Sequence, residues 1–155
     1  MEEIMEFGWI NFLGAGIVLV MLLPNLVYAL NNRGAKNRCQ NKLMNVIEQV
    51  GRYGCFLLMW LPLLVWKFGF QKIELLVIYL FGNGLLLCAY LIVWVFYFKG
   101  KSICKSMLLA ILPTCIFLLS GLTLHHWLLV FSAALFGVGH LYVTWQSGPP
   151  AKPAA

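Results

Sequence analysis

Aspartate is missing altogether, Asp and Glu together number five, and charged residues of either sign make up 10% of the 155-residue chain. A soluble domain of this size needs a charged surface, and with 62% hydrophobic residues this chain has no means of covering its own core in water. The chemistry of soluble enzymes is equally sparse. No GxSxG elbow, HExxH pair, phosphate-binding glycine loop or cluster of acidic residues occurs. Cys39, Cys55, Cys88, Cys104 and Cys115 are scattered without a CxxC or a Cys–His spacing. That scatter argues against disulfide exchange and metal binding and fits buried small hydrophobes and reduced loop thiols. Only Glu48 and Glu74 flank apolar runs and neither lies in the middle of one, unlike a carboxylate-driven proton or sodium carrier. No repeat is visible, so the inverted halves of many transporters are missing too.

What the chain does have is apolar runs. Five of them cover Trp9 to Leu30, Val50 to Lys67, Ile73 to Phe98, Met107 to Leu124 and Trp127 to Trp145. About 20 residues at ~1.5 Å per residue cross the hydrocarbon core. The fold class expected is therefore all-α, a polytopic bundle of five transmembrane helices forming one domain over 1–146. Residues 147–155, SGPPAKPAA, read as a flexible tail with the composition of a linker. The acidic start MEEIMEF lacks the basic flank of a signal peptide, so the first run is taken as a retained span.

The formal charge of +6 would suggest nucleic acid in a soluble protein. Here the cations sit between the runs, where they act as topology determinants, and nucleic acid is not an expected partner. Arg33, Lys36, Arg38 and Lys42 follow the first run, and Lys99, Lys101 and Lys105 follow the third. The rule that such loops stay inside places the N-terminus outside and the C-terminus in the cytoplasm. Trp9, Trp66, Trp127 and Trp145 fall near expected interfaces, as amphipathic aromatics do.

Two patterns carry candidate chemistry. In NKLMNVIEQVGRYG, residues Asn41, Asn45, Glu48 and Arg52 share one face of a helix, with Leu43, Ile47 and Val50 away from it. The spacing predicts a short interfacial helix on the cytoplasmic surface near Asn41 to Gln49, bending into the second span at Gly51 or Gly54. The bland account is a solvated face with a weak ion pair. The functional one has Arg52 holding an anionic group, oriented by Glu48.

In the fifth run, Ala133, Gly137, His140 and Thr144 form a narrow face of small and polar residues that must turn inward in lipid. That face also suits close approach of a second copy, a homodimer. His140 and Asn25 lie at similar depth, and Pro24 frees a carbonyl beside Asn25. The bland account of both is interhelical hydrogen bonding. The functional account gathers Asn25, Glu48, Arg52, His140 and Thr144 at a ligand site open to the cytoplasmic leaflet. Asn83 between Gly82 and Gly84, and Thr114 after Pro113, read as packing features. The His125–His126 pair lacks a third ligand, and no metal site is expected.

The blocks NKLMNVIEQVGRYG and FGVGHLYVTW resemble those of an uncharacterised family of small multispan membrane proteins from bacteria. The two blocks cover 24 residues of this chain, with a looser likeness across all five runs. The resemblance implies a bacterial plasma-membrane protein and no particular activity or cofactor. Length and span count are also similar to the tryptophan-rich sensory proteins that bind porphyrins and sterols. Their Pro- and Trp-dense first loop is missing, so their residues are not carried over. Three functions stay open: binding or transport of a small amphipathic or anionic ligand, with membrane lipid as neighbour; a membrane enzyme using His140 as base and Arg52 as anion holder; and a non-catalytic accessory or immunity-type subunit.

Overall fold

The computed structural model describes residues 5–6 (backbone only), 9–32, 39–65 and 69–148. Arg33, Lys36, Arg38, Trp66, Lys67 and residues 149–155, which carried parts of the topology and tail arguments, lie outside the described residues. The chain is helical: α1 is Phe12–Asn31, α2 Lys42–Leu58, α3 Ile73–Lys99, α4 Ile103–Thr123 and α5 Trp127–Ser147. Two-residue strands β1 (Met5–Glu6) and β2 (Gly69–Phe70) pair antiparallel, tying the segment before α1 to the one before α3.

Four of these helices, α1, α3, α4 and α5, are long and apolar enough to cross a membrane. The second expected span is different. Instead of an interfacial helix near Asn41 to Gln49 that bends into a span over Val50 to Lys67, one continuous helix runs from Lys42 through Gly51 and Gly54 to Leu58. Its start is fixed by Asn41, whose side chain accepts from the Met44 N–H at 3.2 Å. Helix α2 continues past both glycines because their small size is used for packing, not for bending.

Close packing sets the arrangement. A Cβ on Gly51 would stand 2.4 Å from the Phe136 nitrogen, one on Gly54 3.0 Å from Ser132 Oγ, and one on Gly139 2.6 Å from the Glu48 nitrogen. As numbers rise along α2 they fall along α5, so the two helices run antiparallel with their backbones almost touching. The other large interfaces join α3 to α4 and α4 to α5, and α1 leans on α3. The helices thus stand in the order α1, α3, α4, α5, α2. On α5, Ala133 is fully buried and Gly137 faces Thr114. The small-residue face that the sequence offers for a homodimer is therefore used inside the monomer.

Hydrogen bonds show which helix ends lie together. The Asn11 backbone donates to the Trp60 carbonyl at 2.8 Å, and its side-chain amide donates to the Met59 carbonyl at 3.2 Å. His126 Nε2 donates to the Leu63 carbonyl at 3.0 Å. The start of α1, the segment after α2 and the start of α5 thus share one end of the molecule. At the other end Lys101 Nζ donates to Asn32 Oδ1 at 2.8 Å, joining the close of α1 to the α3–α4 turn. That turn contributes Lys99, Lys101 and Lys105, and the start of α2 contributes Lys42.

The α4–α5 turn is tight because α4 ends in a Schellman motif. The His126 N–H returns to the Gly121 carbonyl at 2.8 Å and the His125 N–H to Leu122 at 3.2 Å. His125 itself takes the left-handed conformation, φ 52°. Its side chain is exposed while His126 is buried, so the histidine pair diverges. Trp9, Trp127 and Trp145 are all strongly exposed near helix ends.

Candidate functional site

Glu48 is the buried carboxylate of the bundle, 4% exposed, at the point where α2 and α5 touch. The physical cost of placing a carboxylate there is offset by two partners. Arg52, one turn on along α2, donates to Glu48 Oε1, and His140 of α5 donates to the same oxygen from Nδ1 at 2.7 Å. The i, i+4 spacing brings Arg52 into reach, and the absence of a side chain at Gly139 lets α5 come close enough for His140. The imidazole ring stacks on Phe136, one turn earlier, with centroids 4.8 Å apart and planes 17° from parallel. With Nδ1–H directed to the carboxylate, Nε2 is the nitrogen left for another group.

Two cavities adjoin this trio. A polar one of about 430 Å³ takes wall residues from all five helices, including Tyr28, Gln49, Trp94, Tyr97, Ser106 and Ser147. The five residues singled out from the sequence, Asn25, Glu48, Arg52, His140 and Thr144, all line it. A second, mainly apolar cavity of about 560 Å³ lies toward the bundle's middle, walled by Met21, Leu22, Phe56, Pro113, Phe117 and Phe136 among others. Asn25, Arg52, Leu109 and His140 belong to both walls.

Asn25 is positioned from α1. Its amide donates to the Met21 carbonyl at 2.9 Å and to the Tyr90 hydroxyl at 2.8 Å. This is an interhelical hydrogen bond of the kind the bland account expects, made by a residue that also faces the cavities. Thr144 is half-buried one turn beyond His140.

In α3 only Asn83 was singled out from the sequence. Its buried side chains are Tyr79, Asn83, Tyr90, Trp94 and Tyr97, every one of them polar-tipped. They recur at steps of four, seven, four and three within one stripe, a signal available in the sequence for an inward face. Tyr28, Trp94 and Tyr97 form an aromatic cluster with centroids 5.5–5.8 Å apart, and Lys101 Nζ sits 5.0 Å from the Tyr28 ring. Asn11 was missed as well: fully buried, it caps α1 and reaches the Tyr79 hydroxyl at 3.4 Å.

Of the glycines read as packing positions, Gly82 meets Leu119, whereas a Cβ on Gly84 would meet nothing within 4 Å. Asn83 accepts from Ser120 Oγ at 3.2 Å, and Thr114 Oγ1 donates to the Ala110 carbonyl at 2.9 Å. Among the described residues no three His, Cys, Asp or Glu side chains gather as a metal site requires. His126 is occupied at the far end of the molecule, where burial holds its pKa below the usual histidine value although its bonds to backbone carbonyls oppose that shift.

Comparison with known proteins adds no assignment: no family model, no curated protein and no solved structure matches this chain.

Proposed function

We propose that this chain is an integral membrane protein with five crossings that binds, and as a carrier moves, a small anionic or amphipathic molecule taken from the cytoplasmic leaflet. The observation that carries the reading is the buried Glu48, held between Arg52 and His140 on a cavity wall to which all five helices contribute. Arg52 spends one part of its guanidinium fork on Glu48, and its remaining N–H groups are the donors for an anion, which His140 Nε2 joins only when the ring is an imidazolium. Basic residues Lys42, Lys99, Lys101 and Lys105 lie at the same end and attract one.

The fifth crossing is α2. It runs antiparallel to α5 from Glu48 against Gly139 to Gly54 against Ser132, and the segment beyond it reaches Leu63, whose carbonyl accepts from His126 at the start of α5, which supports a crossing. Its outer face, Leu43, Val46, Val50, Tyr53 and Leu57, is exposed over ~21 Å at helical rise. Glu48, Gly51, Cys55 and Leu58 face inward. Polar inside and apolar outside is the arrangement lipid demands. The lysine-bearing end is then cytoplasmic and the N-terminus outside, and the resemblance in the blocks around Glu48 and His140 points to a bacterial plasma membrane. Cysteines introduced at Lys36, Lys101 and the exposed His125, in a cysteine-free background, test this orientation. Labelling of Lys36→Cys or Lys101→Cys from outside would overturn it.

Native mass spectrometry from mild detergent, paired with thermal shifts against a panel of organic anions, tests the binding. A retained or stabilising anion that is lost in Arg52→Ala supports the reading. A wild-type protein that retains nothing and responds to no anion refutes it. One observation favours a second reading, a membrane enzyme: Glu48 fixes the tautomer of His140 with Nε2 available as a base. Turnover of a bound compound that stops in His140→Ala would select it.

A further inference from the structure

We infer that the ligand is a single-chain amphiphile with an anionic head, a carboxylate or phosphate monoester, bound head toward the lysine-bearing end and tail toward the middle of the bundle. This rests on the binding reading above and names its ligand class. The two cavities differ in chemistry and share a wall. The polar one is bordered by Gln49, Thr144 and Ser147 near the ends of α2 and α5, and the apolar one by Phe56, Phe117 and Phe136 one to several turns deeper. Arg52 and His140 stand on the common boundary with Asn25, so a head bonded to Arg52 has the apolar cavity directly beside it for an attached chain. A compact anion would leave that second space of about 560 Å³ empty, and a neutral hydrocarbon would leave the Arg52 N–H groups without an acceptor. The volume is within the range that holds one drug-sized molecule, which fits one chain and not two.

The fold also provides a path. Extensive interfaces join α3 to α4, α4 to α5 and α5 to α2, α1 leans on α3, and none of these contacts joins α1 to α2. Those two helices meet where Asn11 and Gly14 abut Met59 and Trp60, at the end away from the lysines. Toward the other end Leu22, Asn25, Leu26 and Ala29 of α1 line the apolar cavity across from Arg52 and Tyr53 of α2. An amphiphile in the cytoplasmic leaflet already has its head at the basic end and its tail inward, so it enters sideways between α1 and α2 without turning over.

The test uses the full chain in amphipol, titrated with straight-chain alkanoates and alkyl monophosphates of two to twelve carbons, below their micelle concentrations. Alkanols of the same lengths and inorganic phosphate serve as controls. Affinity is expected to rise about fourfold per added methylene until the apolar cavity is full, and then to level. Arg52→Ala should weaken every anion by a similar factor, about tenfold or more. Leu22→Trp, on the partly exposed wall of α1, should weaken the long chains and leave the short ones unchanged. Acetate or inorganic phosphate binding as tightly as dodecanoate would overturn the amphiphile while leaving an anion site intact. Alkanols equal to alkanoates would overturn the anionic head. No binding by any anion would remove the binding reading itself. Preference between carboxylate and phosphate heads separates a fatty-acid-like source from a lysolipid-like one, and the wild-type chain-length series stands even if a variant fails to fold.

Discussion

Helices α1 and α2 stand at the two ends of the same row, and their sequences suggest opposite roles from those they play. α1 is an almost unbroken apolar helix, yet it buries only Gly14, Val18 and Met21 among its side chains. α2 carries Glu48, Gln49 and Arg52, and it packs against α5 more extensively than any other helix pair. In water the apolar helix would sit in the core and the charged one outside. In lipid, hydrophobicity marks the face turned to solvent, while small and polar residues mark contact. The first half of α2 was expected as a separate interfacial helix because one account of its polar stripe set it against water rather than against the protein interior.

The largest effect should come from closing the α2–α5 contact. Gly51→Ala or Gly139→Ala places a methyl group 2.4–2.6 Å from a backbone atom of the facing helix. Neither backbone can yield, so each is expected to cost about 3 kcal/mol, read as loss of the folded species in a thermal melt in detergent. Melts unchanged by both would mean that α2 is not where the contact with α5 puts it.

Removing the charge of Glu48 is the next step down. Glu48→Gln keeps the shape but leaves Arg52 and His140 with a weaker acceptor, at about 1–3 kcal/mol. The corresponding change in α1, Asn25→Leu, loses one interhelical hydrogen bond to Tyr90 and should cost about 0.6 kcal/mol. If Asn25→Leu proved the more damaging of the two, the ranking of α2 over α1 would fail.

Space at Gly16 gives a change of the opposite sign. A Cβ there meets nothing within 4 Å, so Gly16→Ala should stabilise α1 by about 0.5 kcal/mol through helix propensity alone. A loss of stability would point to a packing partner for that face of α1.

The smallest effect separates the two helices by pH. His126 joins the start of α5 to the segment after α2, and its folded pKa is lowered by burial. Its contribution is complete above the unfolded value of about 6.5 and is lost as pH falls from there toward the folded value, because the unfolded state takes up the proton first. Melting temperature should drop in that window and flatten in His126→Gln. Helix α1 itself, Phe12–Asn31, has no histidine or carboxylate and should contribute nothing to that drop.

Much of the molecule was readable before any fold was known. The apolar runs define α1, α3, α4 and α5 to within a few residues because length and hydropathy are properties of a single segment. The inward turn of Asn25, His140 and Thr144 was legible for a similar reason, since a polar group in an apolar helix must find protein or water, while Glu48 and Arg52 faced inward on one of the two accounts of their stripe. Tyr79, Tyr90, Trp94 and Tyr97 obeyed the same rule beside Asn83 on α3, and were overlooked because tyrosine and tryptophan count as hydrophobic in a simple tally.

The sequence by itself determined the solvent, the helical class and the residues that cannot face lipid, since each follows from the free energy of transferring a segment or side chain out of water. Tertiary structure alone decided that Glu48 binds both Arg52 and His140, 92 positions apart in the case of the histidine. It also decided that α2 is one unbroken helix and that a polar and an apolar cavity meet at Asn25, Arg52 and His140. Those outcomes depend on which glycine meets which backbone, as Gly139 meets Glu48 and Gly51 meets Phe136. Such contacts form between segments distant in the chain, where no local periodicity records them.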